Sequence, residues 1–167
     1  TLAGFRRASD IPPELERLSP IDLGRTRDGR FAQRLAAVAT AALSIGAKLK
    51  GVAAPDVIIG RNLEMLALAV RARTRFGGEI PIVYECLDVH RLLLGRNATS
   101  RAMRGAERWF CREVSLVVTS SPAFARDYFQ PFGQVDAPVA LLSNKVLELD
   151  GAPGPLEGLR PPPFSGK

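Results

Sequence analysis

Apolar residues recur along this chain in two alternating rhythms, short β-branched runs and longer stretches of helical period, each punctuated by glycine, proline or a capping side chain. Thr1 to Phe5 reads as a strand, followed by a polar turn over Ser9 to Glu16 with Pro12-Pro13 and an extended piece from Leu18 to Leu23. Phe31, Leu35, Val38, Ala42, Ile45 and Leu49 then share one helical face. Asp28 is placed as its N-cap, Lys48 and Lys50 lie in its last turn, and Gly51 ends it. Pro55 to Gly60 is bounded like a fully buried parallel strand, and a helix from Asn62 to Arg75 follows at once, stopped by Gly77-Gly78. Ile80 to Tyr84 is the next strand, and a loop runs from Asp88 to Asn97. A helix capped by Thr99 or Ser100 reaches Glu113. Leu116 to Thr119 is a third buried strand, Ser121-Pro122 opens another helix, and Val139 to Leu142 is a fourth strand. This alternation predicts right-handed βαβ units, and hence an α/β, Rossmann-like three-layer sandwich around a mostly parallel sheet.

Beyond Asp150 the pattern lapses into Gly151-Ala152-Pro153-Gly154-Pro155 and closes on Pro161-Pro162-Pro163, a composition that suits a semi-rigid spacer. The expected organisation is one domain over residues 1–149 and an interdomain linker or tail over residues 150–167. A chain of 167 residues with 46% hydrophobic content suffices for one sizeable core. Thr1 is not an initiator methionine and reads as part of a strand already under way, so a longer parent chain is expected.

No apolar run is long enough to span a bilayer and no signal-peptide pattern opens the chain. Cys86 and Cys111 fit neither a disulfide framework nor a zinc site, and read as reduced structural thiols of a cytoplasmic protein. The sequon Asn97-Ala98-Thr99 carries no weight there. A net charge of +6 with a pI near 10.0 favours polyanionic partners, namely nucleic acid, anionic headgroups or phosphorylated small molecules. The chain lacks a GxGxxG or GxxxxGK[ST] loop, and a single histidine supplies no His-rich metal site. These absences remove the commonest dehydrogenase, NTPase and zinc-hydrolase readings.

Strand ends are where open α/β proteins place their ligands, and here they carry the candidate chemistry. The run Ile80 to Tyr84 gives way to Glu85, Asp88 and His90. Asp88 suits orienting a hydroxyl or accepting its proton, against a bland role as a loop cap. His90 suits proton transfer or donation to a phosphate, against a solvated or backbone-bonded imidazole. Glu85 is a ligand contact or the partner of an arginine across the sheet. Arg61 and Asn62 follow a strand and open a helix, where a guanidinium and free N–H groups hold anionic or hydroxylated ligands, with Asn62 as a mere N-cap the alternative. Ser120 and Ser121 offer small hydroxyls, or simply cap the helix begun by Pro122. Arg101, Arg104, Arg108 and Arg112 fall on one helical stripe, either a solvated face or a contact for anionic lipid or a lipid-diphosphate.

Taken in order, Pro55-Asp56-Val57-Ile58-Ile59-Gly60-Arg61-Asn62, Pro81-Ile82-Val83-Tyr84-Glu85-Cys86-Leu87-Asp88-Val89-His90, then Glu107 ahead of Ser115-Leu116-Val117-Val118-Thr119-Ser120-Ser121, resemble the amino-terminal domain of retaining family-four glycosyltransferases. The resemblance covers about residues 55–147 and extends to Leu141-Leu142-Ser143-Asn144-Lys145 before the proline-rich segment. It implies half of a GT-B fold, the acceptor side of an enzyme that moves a sugar from a nucleotide-sugar donor to a polysaccharide or lipid-linked glycan. It implies no obligatory metal or cofactor, a donor bound mainly by a second domain, and a chain incomplete by itself. Expected partners are the sugar acceptor and, peripherally, the inner face of a membrane. Many relatives carry histidine directly at the strand end, where this chain has Cys86-Leu87. Two other readings stand beside this one: a basic nucleic-acid module, disfavoured by an aromatic content of 7% with no stacking platform, and an interaction domain acting through its proline-rich tail.

Overall fold

The computed structural model describes residues 1–6, 17–26 and 31–142. The expected turn over Ser9 to Glu16, the Asp28 cap and the linker over residues 150–167 lie outside the described residues. The chain divides into a first unit, Thr1–Glu85, and a second, Cys86–Lys167. Both are α/β with parallel strands, as the alternation of patterns predicts.

In the first unit β1 (Ala3–Arg6) runs parallel to β2 (Ile21–Arg25), with Ala3 opposite Ile21. Helix α1 (Phe31–Lys48) lays Ala41 and Ile45 on this pair, and Leu49 follows just past its end. Together with Leu23, Leu68 and Ala72 they form an apolar core. Gly51 adopts a positive φ just after the helix, a conformation in which a side chain would be strained. The next parallel pair is β3 (Ile58–Arg61) and β4 (Ile82–Cys86), with Ile58 opposite Ile82 and Arg61 opposite Glu85. Both strands start later than their apolar runs. Pairing sets the start, since the Ile58 N–H donates to the Pro81 carbonyl at 3.0 Å, and the residues before it have no partner strand.

Helix α2 (Asn62–Arg75) follows β3 without a connecting loop. Strand and helix meet so closely that a Cβ on Gly60 would stand 2.9 Å from Leu66 Cα. Gly77 and Gly78, both at positive φ, end the segment where the sequence places the stop.

The second unit begins at the end of β4. The loop expected over Asp88 to Asn97 contains a short helix, α3 (Arg91–Leu94). Helix α4 (Ala98–Cys111) is capped by Asn97, whose side chain accepts from the Ser100 N–H at 2.8 Å, so the caps expected at Thr99 or Ser100 are displaced toward the N-terminus. Ser100 is buried inside the first turn and cannot serve as the cap. Strand β5 (Leu116–Thr119) pairs in parallel with β6 (Val139–Leu141). Between them lies α5, composed of Pro122–Phe124, a π-helical turn Ala125–Phe129, and Gln130–Phe132. The Ser121 side chain caps it and Pro122 occupies its first turn, as the sequence predicts.

Candidate functional site

The polypeptide leaves β4 through Leu87, Asp88 and Val89. Val89 is buried and anchors the turn, which leaves Asp88 and His90 exposed on either side of it. No hydrogen bond or ion pair engages the Asp88 carboxylate among the described residues. Its backbone carbonyl accepts the Cys86 thiol at 3.6 Å. His90 is the N-cap of α3, its Nδ1 accepting from the Leu92 N–H at 3.2 Å. With Nδ1 engaged as acceptor, the ring proton of the neutral imidazole resides on Nε2, free to donate outward. His90 therefore performs the bland backbone role and keeps one ring nitrogen for a ligand.

In the first unit, Arg61 and Glu85 end neighbouring strands in register and pair. Arg61 Nε lies 2.6 Å from Glu85 Oε2, and Nη2 lies 3.4 Å from Oε1. The hydrogen bond that Arg61 donates to Glu85 raises the Arg61 pKa above its ordinary value, despite partial burial. Glu85 thus realises the cross-sheet arginine partner rather than standing as a bare carboxylate. Asn62 is not the N-cap. Arg61 holds that position, without a side-chain cap, and Asn62 takes a left-handed backbone with φ +63. Its Oδ1 is buried with no hydrogen-bond partner. Strained strand-to-helix turns of this kind tend to mark functional sites. Both residues line a cavity of about 690 Å³, together with Arg34 and Glu64, which pair with one another, and with residues of β1 and β3. Nothing in the hydropathy pattern singled out Arg34 or Glu64, because they sit 30 residues apart on different helices.

At the end of β5 the hydroxyls are locally committed. Ser120 Oγ donates to the Leu87 carbonyl at 3.0 Å, tying this strand end to the loop that bears Asp88. Ser121 Oγ accepts from the Ala123 N–H at 3.2 Å as a helix cap. Thr119 Oγ1, fully buried, has no partner.

The arginine stripe divides. Arg101 and Arg112 are exposed, and so is Trp109, at 57%. Arg104 instead turns inward, donating from Nη1 to the Leu93 and Gly95 carbonyls at 2.5 and 2.7 Å, with its guanidinium 4.6 Å from the Phe132 ring centroid. Arg108 donates to the carbonyls of Phe132 and Gly133 at 2.6 and 3.0 Å. A uniform free cationic face over the four residues is therefore not what the helix presents. The inward stripe runs Ser100, Arg104, Glu107, Cys111, an i, i+4, i+7, i+11 row of polar and sulfur side chains that hydropathy cannot flag. Glu107 is fully buried and accepts hydrogen bonds from Tyr128 Oη and, at 2.7 Å, from Gln134 Nε2. Burial first, and the Glu107 charge next, push the Tyr128 phenol far above its usual range. The same causes in the same order raise the Cys111 thiol, which is therefore no nucleophile. Cys86 and Cys111 are both free and buried.

Among the described residues no three His, Cys, Asp or Glu side chains are grouped to hold a metal ion, and no helix is long and apolar enough to cross a membrane. Parallel strands alternating with helices, with carboxylate, imidazole and hydroxyl groups at the strand ends, define a Rossmann-like α/β domain. The chain belongs to the family described as the glycosyl transferase 4-like domain, which matches residues 3–145. It is similar to the succinoglycan biosynthesis protein ExoL of Rhizobium meliloti (strain 1021), at 54% identity over 151 residues. That alignment covers 90% of this chain and 38% of ExoL, so the chain spans well under half of that relative's length. The family likeness noted over residues 55–147 thus reaches back to β1.

Proposed function

We propose that this chain is the acceptor-binding part of a glycosyltransferase that moves a sugar from a nucleotide-sugar donor onto a polysaccharide or lipid-linked glycan. The donor is held mainly by a second domain, no metal or cofactor takes part, and the chain alone is inactive. The observation that carries this reading is Asp88, an exposed carboxylate with no protein partner among the described residues, displayed just past a parallel strand of a glycosyltransferase-family domain. The name of the relative, a succinoglycan biosynthesis protein, supports a polysaccharide as the product class.

In this mechanism the acceptor hydroxyl oxygen forms the new bond to the anomeric carbon while the diphosphate oxygen departs with the electron pair. Asp88 orients that hydroxyl and receives its proton. His90 Nε2–H donates to a second acceptor oxygen or to a phosphate. The work is chiefly positional and electrostatic. The reaction takes place in the cytoplasm at the inner face of a membrane, where exposed Arg101, Arg112 and Trp109 supply the charge and the amphipathic ring suited to an anionic interface. In the full-length protein Asp88→Asn is expected to lower transfer about a hundredfold or more, the usual scale for losing a positioned proton acceptor. An unchanged rate removes Asp88 from the mechanism.

A further inference from the structure

We infer that Arg104 is a positioning residue that holds the Asp88–His90 loop in shape, an inference that rests on the reading of this loop as the acceptor contact. A short helix leaves its terminal carbonyls without intrahelical partners. One guanidinium from α4 serves the Leu93 carbonyl in the last turn of α3 and the Gly95 carbonyl just past it, Arg104 Nη1 donating to them at 2.5 and 2.7 Å. The clamp is set from both sides. Above the guanidinium lies the Phe132 ring, 4.6 Å away at its centroid, and the Arg104 carbonyl accepts from Gln134 Nε2 at 3.1 Å. Below it the loop packs so tightly on α4 that a Cβ at Gly95 would stand 2.4 Å from Ser100 Oγ. The far end of the same loop is pinned by Ser120 Oγ to Leu87 O at 3.0 Å. Asp88 and His90 therefore lie between two fixed points, and Arg104 makes one of them. A charge-assisted bond to a carbonyl is stronger than a neutral one, and a planar cation that also stacks on an aromatic ring is not replaced by lysine.

The test uses the full-length protein and its Arg104→Met, Arg104→Lys and Arg108→Met variants. Amide hydrogen exchange is measured over residues 88–96, alongside kcat and the KM values for acceptor and donor. Arg104→Met is expected to speed exchange over residues 88–96 roughly tenfold or more, on the scale of a lost charge-assisted hydrogen bond. It should raise the acceptor KM while leaving the donor KM in place, and Arg104→Lys should fall between it and the wild type. Arg108→Met, which frees the carbonyls of Phe132 and Gly133 and the Gln134 side-chain oxygen but removes no bond to residues 88–96, should leave exchange over 88–96 unchanged. If Arg104→Met does not fold, Arg104→Lys carries the same comparison. Folded variants with wild-type exchange over 88–96 overturn the clamp whatever their activity. Faster exchange with an unaltered acceptor KM, in contrast, overturns the acceptor reading of the loop and with it the positioning role.

Discussion

The first unit closes on Leu23, Ala41, Ile45, Leu49, Leu68 and Ala72, with Thr26 the one buried polar residue among those described, whereas the second buries Ser100, Glu107, Thr119 and Gln134 among Val117, Tyr128 and Phe129. Apolar contacts are non-directional, so a core of the first kind tolerates changes in side-chain shape provided volume is kept. Buried donors and acceptors must meet at fixed distances or leave an unsatisfied group in a low-dielectric interior. The second unit, which carries Asp88 and His90, is thus the one whose interior dictates geometry. Side chains of α4 reach outward from that interior to the carbonyls of two loops.

The contrast can be broken at several points. Leu68→Ala should cost the most, about 3 to 4 kcal/mol by denaturant unfolding, because a fully buried leucine leaves both lost burial and a cavity. A volume-keeping Leu68→Met should cost less than about 1.5 kcal/mol. Glu107→Gln keeps the shape and one acceptor oxygen, yet should lose about 2 kcal/mol, since the charge that accepts from Tyr128 and Gln134 is gone. If Glu107→Gln proved neutral while Leu68→Met did not, the assignment of tolerance to one core and specificity to the other would be reversed. The smallest effect separates the two duties of His90. His90→Asn preserves a capping acceptor and should leave stability within a few tenths of a kcal/mol, whereas His90→Ala should lose about 1 kcal/mol. Equal loss of sugar transfer in both variants would assign the free imidazole nitrogen to the chemistry.

How far the sequence could be read follows the same division. Helix Asn62–Arg75 and strand Leu116–Thr119 fall where apolar runs and glycine stops place them, because propensity, punctuation and packing agree there. Asn97, Thr99 and Ser100 are competing caps within four positions, and the choice was made by burial of Ser100 against Gly95, a tertiary fact. The strand ends bearing Asp88, His90, Arg61 and Glu85 were visible as polar breaks in apolar runs. That Glu85 could meet an arginine across the sheet was legible too, but that the arginine is Arg61 was not, since the pair depends on strand register. The inward turn of Arg104 was hidden for a further reason. Helical periodicity assigns arginine to solvent, yet Ala106 is exposed while Arg104 is half-buried. A core stripe written in serine, arginine, glutamate and cysteine has no hydropathic contrast with the surface.

The seclusion of Cys86 and Cys111 has a practical corollary. They are the two cysteines of the whole chain, 1% and 3% exposed, and the second is further disarmed by its raised pKa. A thiol introduced at exposed Arg96 by Arg96→Cys would react with maleimide or nitroxide reagents ahead of either native sulfur. A spectroscopic reporter can thus be attached beside the loop with the native cysteines left in place, and candidate ligands screened for a change in its signal.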